Sequence, residues 1–199
     1  MPRNKNTEII TVVGQSGSGK SSWVQKTLPS LTRWILFDTL CEYSGFDVFQ
    51  DDLEALYRHV MQFQGGLFQV IYRCVNENEQ DAFDFVCELA FAVENVTFIV
   101  EEVDQFANPN QIPNSLKRML KIGRHNGVSM IFVSRRPPEI NRLITAQSRR
   151  FICFQMLEPN DIRYMKAVIG GIAEEIPKLE KLHFIDWNHG TVSRGQIKW

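Results

Sequence analysis

The amino-acid sequence predicts an α/β fold with three layers, in which a mostly parallel central sheet is flanked by helices on both faces. Short runs rich in β-branched and aromatic residues alternate with amphipathic stretches along most of the chain. This alternation is typical of parallel strands joined by helices. A glycine-rich stretch at residues 14–21 separates the first apolar run from the first helical stretch. Near the end of the chain, Asn188-His189-Gly190 separates two short apolar runs and predicts a C-terminal β-hairpin.

Six strands are predicted from short apolar runs, in addition to the hairpin. The first run ends at a glycine, the second at Asp38 and the fourth at two adjacent glutamates. Polar and flexible residues therefore begin where these buried runs stop. The predicted strands are residues 8–13, 34–37, 67–72, 96–100, 128–133 and 150–155, followed by hairpin strands at residues 184–187 and 191–194.

Five helices are predicted from apolar residues that recur every three or four positions. In the second of them, Leu53, Leu56 and Val60 share one face. Pro29 ends the first helix, and the last begins after a Glu-Pro-Asn sequence. The predicted helices are residues 20–28, 51–62, 80–93, 114–123 and 161–169.

The length of 199 residues allows one sizeable core. We expect a single domain over residues 1–199, with a core at about residues 8–170 and a C-terminal extension at residues 171–199. The net charge is −1, so any nucleic-acid contact must come from a local basic patch. No apolar run approaches the roughly 20 residues of a membrane-spanning helix, and no membrane span is expected.

The four cysteines show no paired spacing of the kind that binds zinc. Cys74, Cys87 and Cys153 lie in apolar runs and are predicted to be buried free thiols. Free thiols indicate a reducing compartment, so we expect a cytoplasmic protein.

The stretch at residues 14–21 matches the P-loop (Walker A) pattern GxxxxGK[ST] at every fixed position. Its glycines let backbone N–H groups turn toward phosphate oxygens, and the following helix adds its positive end. We therefore expect ATP binding, with Lys20 at the β- and γ-phosphates and Ser21 as a ligand of Mg²⁺. No base-reading motif separates ATP from GTP. The predicted nucleotide-binding residues are Gly14, Gln15, Ser16, Gly17, Ser18, Gly19, Lys20, Ser21 and Ser22.

Two glutamates directly after the fourth strand predict a Walker B element. Because side chains alternate along a strand, adjacent carboxylates at its end can take different roles. We assign Glu101 to Mg²⁺, although Asp is more usual there, and Glu102 to polarising the attacking water. Asp104 is an alternative. A carboxylate that activates water favours hydrolysis over phosphoryl transfer to a metabolite.

Three further segments resemble the FtsK–HerA superfamily. The second strand is followed by Asp38 and then by Glu42-Tyr43, residues 123–137 combine a Gly-Arg-His turn with a strand that ends in Arg-Arg-Pro, and residues 158–161 read Glu-Pro-Asn-Asp. The resemblance covers about residues 8–170, in the order found in the family. It implies a RecA/FtsK–HerA-like fold and an ATPase that forms a ring, a hexamer or pentamer, and moves DNA or sometimes protein through a central channel.

A chain of this size most resembles the genome-packaging ATPases of membrane-containing icosahedral viruses, which pump double-stranded DNA into a preformed capsid. The resemblance implies double-stranded DNA and capsid vertex or portal proteins as partners, and a location in the host cytoplasm or the virion. Zot-like virion-assembly ATPases have similar motifs but usually continue into a membrane segment. Two other classes stay open: a small nucleoside or metabolite kinase, and an ATP-binding assembly protein that does not hydrolyse its nucleotide.

The resemblance also implies that an arginine of a neighbouring subunit completes the ATP site. Arg124 and Arg150 fall at matching places, with Arg149 and Arg135 as rivals. Arg135 stands where the family usually has a polar sensor, commonly Gln. On a predicted helix, Lys117, Lys121 and Arg124 share one face, which is expected to meet DNA phosphates, to line a subunit interface or to be plain surface.

Overall fold

A computed structural model describes residues 7–76 and 78–198 of the chain. The described residues form one nine-stranded sheet, and its strands follow one another in space in the order β3-β4-β2-β5-β6-β1-β7-β8-β9. In chain order the strands are β1 (Ile9–Val13), β2 (Arg33–Phe37), β3 (Asp47–Gln50), β4 (Phe68–Arg73), β5 (Thr97–Val100), β6 (Ser129–Ser134), β7 (Arg150–Phe154), β8 (His183–Asn188) and β9 (Thr191–Gln196).

Within residues 7–76 and 78–198, six α-helices accompany the sheet, and 3₁₀ turns connect several of them. Asp52 caps the second helix by accepting a hydrogen bond from the Ala55 amide at 2.8 Å, which stabilises a first turn whose own N–H groups lack partners. The helices are α1 (Lys20–Thr27), α2 (Leu53–Gln62), α3 (Glu79–Val93), α4 (Asn114–Ile122), α5 (Arg142–Gln147) and α6 (Pro159–Ile169).

All pairings among β1 to β7 are parallel, whereas β8 pairs antiparallel with β7 and β9 antiparallel with β8. Strand β6 lies between β1 and β5, with Ile10 opposite Ile131 on one side and Ile99 opposite Ile131 on the other. The carboxyl ends of β1, β6 and β5 therefore lie side by side at one edge of the sheet. We call this edge the carboxyl edge and the opposite one the amino edge.

The core occupies both faces of the sheet. Because side chains alternate along a strand, Trp34 and Leu36 of β2 pack on the face covered by α1, and Ile35 and Phe37 pack on the other. The second face is the larger one and is covered by buried residues of α2 to α6. Helices on both faces of a mostly parallel sheet confirm the predicted fold class.

The predicted strands and helices are confirmed, with boundaries that differ by one or two residues. Two elements were missed: β3, which is short and mostly exposed, and α5, which has only six residues. The hairpin is longer than predicted and continues the same sheet. The division into a core and a C-terminal extension stays a prediction.

The thiols follow the prediction in part. Cys87 and Cys153 are free and buried, as expected, and burial raises the pKa of both thiols. The prediction for Cys74 was wrong, since it is only half-buried at the end of an outer strand pair. Across residues 7–76 and 78–198, no helix combines the length and the apolar character that crossing a bilayer would need.

Candidate active site

The P-loop connects the carboxyl end of β1 to the amino end of α1. Gly17 and Gly19 have φ angles of 73° and 127°, a region that side chains other than glycine's rarely adopt. At Gly19 a Cβ atom would lie 2.9 Å from Phe154 and 3.1 Å from Leu182. Both a backbone conformation and a close approach therefore require glycine at this position.

Hydrogen bonds hold the loop in its shape. The Ser18 hydroxyl donates to the Gln15 carbonyl at 2.7 Å, and the Ser18 amide approaches the same oxygen at 3.2 Å. The Gln15 amide donates to the Gln155 carbonyl at 2.9 Å, beyond the end of the neighbouring strand β7. The loop is thus fixed by itself and by the strand beside it.

Lys20, the first residue of α1, lies in the loop with only 7% of its surface exposed. Its Nζ donates to the Gln15 carbonyl at 3.3 Å. Burial lowers the pKa of the Lys20 ammonium, while the nearby Glu102 and Glu101 carboxylates act in the opposite sense. The lysine is therefore a desolvated cation aimed into the loop, where it interacts more strongly with an anion than it would in water.

Glu101 is fully buried, with 1% of its surface exposed, directly after β5. The Tyr43 hydroxyl donates to its Oε1 atom, and the same hydroxyl interacts with Ser21. The Oε2 atom is buried and has no hydrogen-bond partner among the described residues. Burial raises the pKa of Glu101 to about 7, against the opposing effects of Tyr43 and Lys20.

These contacts bring the two predicted metal ligands together at one hydroxyl group. A serine hydroxyl and a carboxylate are ligands that Mg²⁺ prefers, and Mg²⁺ takes few ligands from the protein because it keeps waters and phosphate oxygens. The unpartnered Oε2 atom of Glu101 fits such an ion. The described residues contain no group of three or more His, Cys, Asp or Glu side chains that could hold a metal ion by themselves.

A turn after β2 places Tyr43. The buried Asp38 carboxylate accepts hydrogen bonds from the Glu42 amide at 3.2 Å and from the Tyr43 amide at 3.4 Å. Arg73, at the end of β4, binds Asp38 at 3.0 Å and also donates to the Tyr43 carbonyl. The Asp…Glu-Tyr pattern therefore folds into a turn that delivers a hydroxyl to Glu101. The Asp…Glu-Tyr pattern is part of the family resemblance, but no site role was predicted for Asp38, Tyr43 or Arg73.

Glu102 points into the same region from a strained backbone. Its φ angle is 47°, which is costly for a residue other than glycine. The side chain is 3% exposed, and its Oε1 atom lies 2.9 Å from Nε of Arg135. Burial raises the pKa of Glu102, and the Arg135 guanidinium opposes this rise. Because β6 lies between β1 and β5, Arg135 follows the middle strand and stands between the P-loop and the glutamates.

The site surrounds a cavity of about 290 Å³. Most of the predicted nucleotide residues line it, whereas Gly14, Gln15 and Ser18 form the backing of the loop and Glu101 lies beneath the surface. Residues 40, 42, 181 and 182 also line the cavity and were not predicted. The full lining consists of Ser16, Gly17, Gly19, Lys20, Ser21, Ser22, Leu40, Glu42, Glu102, Arg135, Lys181 and Leu182.

The remaining predicted arginines lie at the amino edge, away from this cavity. Arg124 precedes β6 and Arg149 precedes β7, and both are exposed beside Lys121 in a second cavity of about 700 Å³. Arg150 instead donates two hydrogen bonds to Asp186, at 2.7 and 2.9 Å. The chain therefore brings Lys20, Glu102 and Arg135 together but leaves Arg124 and Arg150 outside its own nucleotide site.

Two segments of the family resemblance meet on the surface. Arg136, which follows Arg135, lies 3.7 Å from the buried Asp161 carboxylate at the start of α6. Burial raises the pKa of Asp161, and Arg136 opposes the rise. The Arg-Arg-Pro and Glu-Pro-Asn-Asp segments are thus in contact.

Comparisons with known proteins find two curated relatives and several solved structures that are similar to this chain. No family model matches. A probable helicase of Methanocaldococcus jannaschii is 26% identical over 137 residues, which are 66% of this chain and 26% of that protein. Protein P9 of Pseudoalteromonas phage PM2 is 24% identical over 180 residues, covering 86% of this chain and 79% of P9. The chain therefore spans about a quarter of the archaeal protein and most of the phage protein.

Solved structures match over nearly the whole chain. The genome packaging NTPase B204 of Sulfolobus turreted icosahedral virus 2, in complex with ATP-gammaS, has a TM-score of 0.80 at 20% identity and covers 96% of this chain and 98% of its own. VirB4 of Thermoanaerobacter pseudethanolicus has a TM-score of 0.72 at 11% identity, with 100% and 92% covered. These matches confirm the P-loop ATPase fold and the resemblance to packaging ATPases stated above.

Proposed function

We propose that the chain is an ATP-hydrolysing motor that moves double-stranded DNA, in the manner of a viral genome-packaging ATPase. The observation that carries this proposal is the buried group of Lys20, Glu101 and Glu102 around one P-loop cavity. The likeness to a genome packaging NTPase in complex with ATP-gammaS supports it.

Nucleotide binding rests on the loop amides and on Lys20. The amides cradle the phosphates, and the desolvated Lys20 ammonium binds the β- and γ-phosphate oxygens. Ser21 and Glu101 would hold Mg²⁺, which supplies positive charge to the phosphate oxygens when bound. Tyr43 keeps the two ligands side by side, because both interact with its hydroxyl.

Hydrolysis requires a group that orients water toward the γ-phosphate. Glu102 has this role, since its side chain lines the same cavity as Lys20 and interacts with the Lys20 ammonium. Arg135 pairs with Glu102 and stands at the end of the strand between them, where it can exchange this carboxylate for the γ-phosphate. Arg135 is therefore proposed as a sensor within the chain rather than as a contribution from a neighbour.

The neighbouring subunit is proposed to contribute Arg124, assisted by Arg149. These cations lie on a surface different from the P-loop cavity, so a neighbour's amino edge can meet this chain's carboxyl edge. Such head-to-tail contacts close into rings when the rotation permits. Arg150 is the weaker candidate, because Asp186 already binds its guanidinium.

DNA is the proposed cargo, with capsid vertex or portal proteins as partners and the host cytoplasm or the virion as location. Exposed Lys117 and Lys121 on α4 suit phosphate contacts that do not read sequence. One observation favours a second candidate, an ATP-binding assembly protein without hydrolysis: the Glu102 carboxylate is occupied by an ion pair with Arg135, which competes with water for it.

The test measures ATP turnover with and without double-stranded DNA over a wide range of protein concentration. We expect turnover to rise more than linearly with protein, because the site is completed by a neighbour, and to rise further with DNA. Turnover strictly proportional to protein from dilute solution upward, with no effect of DNA, would contradict the motor. Stimulation by a nucleoside would favour a kinase, and nucleotide binding with no turnover at any concentration would favour the assembly protein.

A further inference from the structure

The P-loop is attached to a distant part of the chain, the segment at residues 177–182 that precedes β8. The Gln155 side chain donates to the Leu179 carbonyl at 2.5 Å and to the Pro177 carbonyl at 3.5 Å. Gln155 in turn accepts hydrogen bonds from the backbone and the side-chain amides of Gln15, at 2.9 and 3.0 Å. One glutamine therefore joins this segment to the first half of the P-loop.

Leu182 makes a second attachment. Its amide donates to the Ser18 carbonyl at 2.9 Å, and its carbonyl accepts from the Ile197 amide at 2.9 Å. Leu182 has a φ angle of 68°, which is costly for a bulky residue and persists only where surrounding contacts impose it. Its side chain packs against the place where Gly19 has no room for a Cβ atom. The segment thus contacts the P-loop directly at residues 18 and 19, and reaches residue 15 through Gln155.

Lys181 lies between these attachments and lines the nucleotide cavity together with Leu182. The other charged residues of the cavity lining are Lys20, Glu42, Glu102 and Arg135. Lys181 therefore adds a cation from an element outside the P-loop, on a flexible stem suited to a phosphate oxygen.

We propose that residues 177–182 form a wall of the nucleotide site in which Lys181 binds the anionic nucleotide. The hydrogen bonds at Gln155 and Leu182 keep this wall on the loop. The proposal rests on the proposed function, since it takes a nucleoside polyphosphate as the ligand. It assigns a nucleotide-binding role to the C-terminal part of the chain, which lies outside the P-loop motif.

The test compares the affinities of the full chain for ADP and for inorganic pyrophosphate by titration calorimetry. Lys181→Ala is expected to weaken ADP binding by roughly five- to tenfold, the loss of one partly exposed charge-assisted hydrogen bond. Lys181→Glu is expected to weaken it further, because it places a carboxylate against phosphate. Lys166→Ala and Lys166→Glu are matched controls on an exposed lysine of α6, outside both the wall and the cavity lining, and both should bind as the unaltered chain does.

Each outcome decides a different question. An equal loss for ADP and pyrophosphate supports a phosphate contact, and a loss confined to ADP supports the wall at the nucleoside end. If Lys181→Glu binds ADP as tightly as the unaltered chain while Lys20→Ala does not bind, the wall is overturned and the proposed function stands. If Lys20→Ala also binds normally, the P-loop is not the nucleotide site and the proposed function fails with the wall.

Discussion

The two edges of the sheet carry charge in opposite ways. At the carboxyl edge, Lys20, Glu101 and Glu102 are all less than 10% exposed and interact with one another. At the amino edge, Arg124 and Arg149 are exposed, and the ion pairs of the described residues include neither of them.

This difference indicates which part of a reaction the chain can perform by itself. Buried charges are costly unless their partners are built in, so the carboxyl edge is organised before any ligand arrives. Exposed cations without acidic partners retain full affinity for an anion from another molecule. The variants below test whether the carboxyl edge binds nucleotide within one subunit and whether the amino edge contributes an arginine to the site of a neighbouring subunit.

The largest effect is expected for Lys20→Ala at the carboxyl edge. Loss of the ammonium removes the main cation of the P-loop, so nucleotide binding and turnover should both be abolished. Calorimetric titration with ATP measures the first and phosphate release the second. Lys26→Ala, on an exposed position of the same helix, is the control and should bind normally. Retained ATP binding in Lys20→Ala would show that the organised edge is not the site.

The amino edge is tested by Arg124→Ala, which should lower turnover by about 10³-fold, as the loss of an arginine finger does. ATP binding should remain, because the variant's own P-loop is intact. Arg118→Ala is the control, since that arginine lies on α4 and pairs with Glu88.

Mixing the two inactive variants separates the edges most sharply. In a mixed ring, an Arg124→Ala subunit has an intact P-loop and receives Arg124 from a Lys20→Ala neighbour. Turnover should therefore return on mixing, above that of either variant alone. No recovery in mixtures that form rings would mean that Arg124 does not act between subunits.

Glu102→Gln should lower turnover by roughly 10²-fold or more, since it removes the group that polarises water. ATP affinity should stay within a few fold of the unaltered chain. In mixtures with Arg124→Ala, the Arg124→Ala subunits should recover activity, because their own Glu102 is intact. Unchanged turnover in Glu102→Gln would move the base to Glu101 or Asp104.

The smallest effect is expected for Tyr43→Phe, which removes the hydroxyl that Glu101 and Ser21 share. The Mg²⁺ concentration for half-maximal turnover should rise by about tenfold, because one hydrogen bond no longer orients the carboxylate. Binding of Mn²⁺ in the presence of nucleotide should weaken equally. Tyr57→Phe, on an exposed face of α2, is the control. An unaltered metal dependence would leave Tyr43 a core residue only.

The sequence predicted the parts of the site that are local in the chain. The P-loop occupies eight consecutive residues between a strand and a helix, and the two glutamates directly follow a strand, so pattern and context were sufficient. The Tyr43 and Glu101 pair could not be predicted in the same way, because 58 residues separate them and only the β2 and β5 pairing brings them together. The ion pair of Arg135 with Glu102 likewise depends on the position of β6.

The fold was predictable to a similar extent. Strands buried on both faces were found because they are continuous apolar runs. Strand β3 was missed because it is an outermost strand of the sheet. Its Asp47, Val48 and Gln50 are exposed, so the strand has no continuous apolar run. The attachment of residues 177–182 to the P-loop was also missed, since backbone carbonyls and amides far apart in the chain make most of its hydrogen bonds and carry no sequence signal.

The position of strand β6 has a consequence for how the proposed motor could distinguish ATP from ADP. With one strand inserted between β1 and β5, the strands that lead into the P-loop and into Glu102 are two strand spacings apart, about 9.5 Å. That span accommodates a terminal phosphate and one water, and a nucleotide shorter by one phosphate leaves it partly unfilled. If the proposed function holds, the width of the sheet itself measures the length of the nucleotide, and Arg135, which follows β6, stands at the midpoint of that distance.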